Sequence, residues 1–223
     1  MAYTPTVWKN GEFPPIDAEH LNKIEQGIAD SAPGGFGLGE LTGRTANSFS
    51  DITGYGFYRV PSESGFAPDT SSNWGAIYIG ANLSYGTLVY ARLGALMAVR
   101  SVSGGEVGPI EWINPPMNLG VEYRTTERYL GKPVYVKLVD CGLPQTNATW
   151  ATAHGISAVK NIISATAQSG CYIANGIFKG SEGLDGDSMT IATDPINIHI
   201  STYGYWSTSE HAIALLKYTK STD

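Results

Sequence analysis

Charge is scarce in this chain. Asp, Glu, Lys and Arg make up 15% of its 223 residues, against about 25% in a typical globular protein. Lys and Arg are scattered without a basic run, and the formal net charge is −6. That excludes the electrostatic footprint of a nucleic-acid or anionic-membrane binder. Cysteine is nearly absent, with only Cys141 and Cys171. Two such residues read as buried thiols made in a reducing cytoplasm, a disulfide between them being the alternative. The opening residues MAYTPTVWKNGEF contain no apolar core of a secretory signal. No window approaches the roughly 20 apolar residues of a membrane span, so no membrane insertion is expected.

Recognisable catalytic and metal-binding patterns are also lacking. The four histidines, His20, His154, His199 and His211, form no HExxH and no pair at ligand spacing, and no CxxC occurs. His199 alternates with Ile198 and Ile200, which places it on the opposite strand face, exposed or hydrogen-bonded. Glu182, Asp185 and Asp187 share one Gly-rich loop, 180–187. A solvated acidic turn is its plain reading; a Ca²⁺ site lacks the twelve-residue ligand pattern, and a glycosidase would need two carboxylates flanking the sugar. Ser181 has no GxSxG frame. Neither Gly34–Gly37 nor Gly104–Gly105 is followed by the Lys-Ser/Thr of a phosphate loop. The expectation is no enzyme, no cofactor and no metal.

What is present is glycine (27 residues) and tyrosine, which outnumbers phenylalanine 13 to 6. With many Ser and Thr, this fits short strands joined by tight turns. The predicted fold is mainly β. Residues 1–16 read as extended, because Thr4-Pro5 and Pro14-Pro15 oppose helix. Asp17 is an N-cap with Glu19 in the first turn, opening a predicted helix over 17–31. Leu21, Ile24 and Ile28 form one narrow apolar stripe along it. A helix this short cannot hold itself together in water. The stripe therefore needs a partner, either the rest of the chain or the same helix in other copies. Residues 34–44 read as a Gly-rich linker.

Further on, Val134, Val136 and Leu138 alternate with Tyr135, Lys137 and Val139, the period-2 pattern of a half-buried strand. Additional strands are predicted near 75–79, 88–93, 97–100, 149–154, 159–167, 171–178, 188–192, 196–201 and 212–218. VKNIISATA at 159–167 is also compatible with a short helix, though its isoleucines favour strand. Residues 119–128 read as a connector. The closely spaced strands after it suggest a sandwich. Tyr203, Tyr205 and Trp206 cluster in a Ser/Thr/Gly-rich loop. Such rings offer large, rigid faces with a polar edge. They are binding candidates, the alternative being that they cap the sandwich core. Trp74 and Tyr85, placed in loops, extend the same argument.

Four stretches resemble phage and prophage tail fibre proteins. Gly131-Lys132-Pro133-Val134-Tyr135, the Asp140–Pro144 turn and Ala153-His154-Gly155-Ile156 are similar to the start of a tail-fibre C-terminal β domain. Trp8-Lys9-Asn10-Gly11, followed by Ile16, Ala18 and Leu21-Asn22-Lys23-Ile24-Glu25-Gln26-Gly27-Ile28, resembles a baseplate and tail-fibre opening. Asp51–Val60 resembles the start of a pyocin-type knob, and Ala214–Lys220 a recurrent fibre ending. The usual Gln of the knob's middle strand is absent here, and Tyr90 or Arg92 falls in its place. The resemblance implies a virion-attachment segment at 1–33, a knob-like module at 45–118 and an antiparallel receptor-binding sandwich at 119–223. It also implies a homotrimer with the Leu21/Ile24/Ile28 stripe inside. As function it implies adhesion to a bacterial surface glycan by a virion tail component assembled in the host cytoplasm. Other tail or baseplate proteins would be partners through the N-terminal segment. Alternatives are a purely structural part or a glycan-cleaving enzyme.

Overall fold

The computed structural model describes residues 21–24, 44–92, 94–169, 172–174, 178–179, 188–204 and 210–223. Residues 21–24 are helical, and Leu21 and Ile24 stand 50% and 42% exposed. Among the described residues, nothing covers the stripe at these two positions. Ile28 lies outside the described residues.

Among the described residues, everything else of regular structure is strand apart from two 3₁₀ turns, Phe49–Asp51 and Ser62–Ser64. The first eight strands are β1 (Arg44–Thr45), β2 (Gly56–Val60), β3 (Trp74–Asn82), β4 (Tyr85–Arg92), β5 (Leu96–Ser103), β6 (Glu106–Val107), β7 (Glu111–Asn114) and β8 (Glu122–Tyr129). There follow β9 (Lys132–Asp140), β10 (Thr149–Ala153), β11 (Val159–Ser169), β12 (Tyr172–Ala174), β13 (Phe178–Lys179), β14 (Ser188–Thr193), β15 (Asn197–Tyr203) and β16 (Ile213–Lys220). The mainly β class expected from composition is what is found. The ambiguous 159–169 stretch is strand, bulged twice and paired antiparallel with β16. Residues 122–129 are also strand, not connector. Their polar, uneven pattern hides the pairing, because β8 is held by backbone bonds to β9 and by ion pairs at its side chains.

One long sheet runs β1-β2-β3-β4-β5-β7-β8-β9-β16-β11-β12, with β6 on β5; a second runs β10-β15-β14-β13. The join between the two halves of the long sheet is narrow. Strands β7 and β8 meet in parallel at Trp112 and Thr125. Two hydrophobic cores form on opposite faces of this sheet. On β9, Val136 belongs to the first core, while Tyr135 and Val139 belong to the second. Strict alternation along the strand sends neighbours to opposite faces. The first core collects Tyr58, Trp74, Tyr78, Leu88, Tyr90 and Trp112 beneath the 46–52 and 61–73 segments. The second lies between the two sheets, with Leu216 and Tyr218 facing Ile198 and Ile200. This second core is the predicted C-terminal antiparallel sandwich.

Candidate functional site

Strand β15 carries the principal candidate. Ile198, Ile200 and Thr202 point into the sandwich at 0%, 0% and 1% exposure. Alternation therefore turns Tyr203 outward at the strand end, 58% exposed. The loop at 142–148 is stitched to this end. Thr202 N–H donates to the Ala148 carbonyl at 2.8 Å, and Gly204 N–H donates to Asn147 Oδ1 at 2.8 Å. Asn147 sits at φ +47°, a left-handed conformation that asparagine tolerates better than most residues. The loop base is fixed by Trp150, whose indole N–H donates to the Cys141 carbonyl at 2.6 Å. Leu143, 48% exposed, shares the loop. Tyr203 thus stands on a rigid strand end beside a braced loop. Tyr205 and Trp206 lie outside the described residues, as does the acidic loop at 180–187.

The histidines are structural wherever they are described. His199 Nε2 lies 2.6 Å from Asp194 Oδ2. That bond, with the Ile196 and Asn197 amides, holds Asp194 well below the usual carboxylate range. His211 Nδ1 sits 2.8 Å from the Asp140 carboxylate. His154 directly follows β10 and is 2% exposed. Its Nδ1 accepts from Ile156 N–H at 3.1 Å, and its carbonyl accepts from Lys137 Nζ at 3.0 Å. Among the described residues, no group of three or more His, Cys, Asp or Glu is arranged to hold a metal ion.

Tyr85 opens β4 at the tip of the β3–β4 hairpin, 56% exposed. Asn82 Oδ1 builds that turn, accepting from Ser84 and Tyr85 N–H at 2.8 and 3.1 Å. Gly80 and Gly86 let the strands touch there, since a Cβ on Gly80 would fall 2.7 Å from the Gly86 Cα. Ile79 and Leu83 are exposed around the same tip.

Trp74 requires a correction. It lies in no loop but begins β3, 1% exposed, and cannot present a face to a ligand. The Ser71-Ser72-Asn73 turn before it hid that it shares the inward face with Ala76 and Tyr78. Its ring meets Trp112 edge-on at 5.8 Å, and Arg92 lies over it at 4.7 Å. Sequence reasoning also missed what this packing assembles. Arg92 Nη1 bonds Asp69 Oδ1 at 2.8 Å, and Trp112 packs edge-on against Tyr123 at 5.6 Å. These residues are far apart in the chain, and no local spacing marks them.

Cys141 is a free thiol, 3% exposed. Burial pushes it up to about 11. Since the thiolate is the reactive form, iodoacetamide at pH 8 should label Cys141 at least about a hundredfold more slowly in folded than in unfolded protein. Peptide mapping of a Cys171→Ser variant measures this. Equal rates in the two states would refute the buried thiol.

No protein-family model matches this chain, and no curated protein matches it. Among solved structures, it aligns with the C-terminal residues 323–701 of the R1 pyocin fibre of P. aeruginosa. The identity is 9% and the TM-score 0.26, over 80% of this chain and 66% of that one. An N-truncated R2-type pyocin tail fibre aligns at 9% identity and a TM-score of 0.27, over 80% of this chain and 95% of that one. At such TM-scores the likeness carries no argument about fold or function.

Proposed function

We propose that this protein is a receptor-binding fibre of a phage or prophage tail that adheres to a bacterial surface glycan. The observation that carries the reading is an exposed aromatic, Tyr203, on a braced strand end at the tip of a β-sandwich. Its neighbours in sequence are Tyr205, Trp206 and a run of Ser and Thr. The motif resemblances at the N-terminus, in the 51–60 segment and around 131–156 support the same reading. Attachment falls to the segment 1–33, through other tail or baseplate proteins. Three copies assemble with Leu21, Ile24 and Ile28 inside, which gives the exposed Leu21 and Ile24 a cover. Three tips then act together, and avidity raises weak single-site affinity. The activity is binding, not catalysis. Neither nucleic acid nor membrane insertion enters the reading, and the protein is assembled in the host cytoplasm before joining the virion tail.

Fluorescently labelled protein on a panel of bacteria and their purified wall polysaccharides tests this. Binding to some strains is expected, and Tyr205→Ala with Trp206→Ala should abolish it while leaving the oligomer intact. Binding that survives the double substitution rejects the site. Release of saccharide fragments from purified capsule would favour the enzyme instead. Light scattering should return three times the chain mass, and a monomer at micromolar concentration would count against the assembly.

A further inference from the structure

We propose that the cleft where the β2–β7 half meets residues 116–123 binds an uncharged saccharide unit, separately from the Tyr203 tip. The cleft is an open one of about 570 Å³, within the roughly 300–1,000 Å³ range of small-ligand sites. Asp69, Thr70, Ser71 and Arg92 form one wall, and Pro116, Asn118 and Val121 the other.

The chemistry of the lining selects the ligand class. Asp69 and Arg92 are joined at 2.8 Å, and their side chains remain 26% and 14% exposed. Ser71 N–H donates to Asp69 Oδ1 at 2.9 Å, and its hydroxyl bonds Arg92. Burial pushes the Asp69 carboxyl up, but the Ser71 bonds and the Arg92 charge outweigh it and hold it below the ordinary value. The two charges therefore cancel. Glu122 also borders the cleft, but its carboxylate is engaged by Tyr218 and Lys220. An anion would meet Asp69 and a cation would meet Arg92, so neither is favoured. A carboxylate beside a guanidinium instead offers an acceptor and a donor side by side. Two adjacent hydroxyls of a sugar ring can meet both, one donating and one accepting. Asn118, itself exposed, adds a carboxamide of the same dual character.

The remaining lining is apolar. Val121 is 43% exposed and, with Pro116, faces the space a ring's C–H surface would fill. Beneath them Trp112 and Tyr123 form the floor, each 6% exposed. Their T-shaped packing, with planes at 87°, makes that floor stiff. Fixed apolar walls with a few placed polar groups are the general form of a small-ligand site.

The biological meaning of this site rests on the adhesion reading, while its chemistry does not. Saturation-transfer NMR on the full chain, with methyl β-glucoside, methyl N-acetylglucosaminide and glucuronate, tests it. Transfer to at least one neutral glycoside is expected, at least tenfold above that to glucuronate. Val121→Glu replaces an exposed side chain and narrows the cleft, and Asp69→Asn removes the carboxylate. Both should lose the transfer signal, with circular dichroism confirming that each is folded. No transfer to either neutral glycoside, a stronger signal from glucuronate, or unchanged transfer in a folded Val121→Glu protein would overturn the proposal. Transfer without any binding to cells would reject the adhesion function and leave the cleft standing. Cell binding that is lost with the Tyr205 and Trp206 substitutions, without cleft transfer, would do the reverse.

Discussion

Trp112→Ala should cost about 3–5 kcal/mol, the range for truncating a buried aromatic, and should split unfolding into two transitions. Trp112 is 6% exposed and bridges Trp74 and Tyr123 at 5.8 and 5.6 Å. It sits on β7 at the one register pair that joins β7 to β8. The ladder of three rings therefore carries the packing across the narrowest point of the long sheet. Urea unfolding followed by far-UV circular dichroism measures both the midpoint and the slope. Tyr203→Ala, on the surface, is the control and should stay within about 0.5 kcal/mol. A loss below about 1 kcal/mol with one unchanged transition would mean that the two halves are joined by something other than this ladder.

A second large effect is expected at alkaline pH. Burial raises Cys141 from 9.0 to about 11. Burial likewise lifts Tyr90 from 10.0 to about 12, although the nearby Arg100 charge pulls it down. Tyr218 is raised further still, by burial first and then by its hydrogen bond to the Glu122 carboxylate. In the unfolded chain these groups lose their protons near pH 9 and 10, whereas in the folded protein they keep them. Above pH 9 the unfolded state thus binds fewer protons than the folded state, and stability falls as pH rises. Below pH 9 their contribution is fully present. Each group removes about 1.4 kcal/mol per pH unit between its unfolded and folded values. The three losses act in the same direction, so stability falls progressively as pH rises above 9. Cooperative unfolding between pH 10 and 12 is the expected result. Tyr218→Phe should flatten the slope above pH 10 by about 1.4 kcal/mol per unit. A melting temperature that holds steady from pH 9 to 12 would contradict this account.

Much of the strand content was legible. The alternation Val134, Val136, Leu138 marks β9 because one side of each strand is packed and the next residue is not. His199 between two isoleucines was legible for the same reason. Strand β8 was not, because ion pairs take the place of apolar partners on it. Arg124 Nε meets Glu111 at 2.9 Å, and Arg128 meets the same carboxylate at 2.7 Å. Their shared partner, Glu111, lies on β7, beyond any local window. Trp74 was misplaced because a polar turn precedes it, and only the register with β2 and β4 shows its ring on the buried face. Tyr85 and Tyr203 are exposed, but they stand at strand ends, on β4 and β15, and not in the loops expected from the turn residues around them.

The sequence alone determined the class. Low charge, abundant glycine and period-2 runs leave the backbone few ways to satisfy its hydrogen bonds other than short paired strands. It also determined the net charge of −6, because charge is a sum over residues and needs no coordinates. Tertiary structure decided which strands share a sheet, and that one sheet carries a core on each face. Pairing order depends on contacts between distant residues, whose closure entropy and burial leave no periodic trace. It alone brought Asp69 to Arg92 and Trp112 to Tyr123, forming a cleft that no stretch of sequence contains.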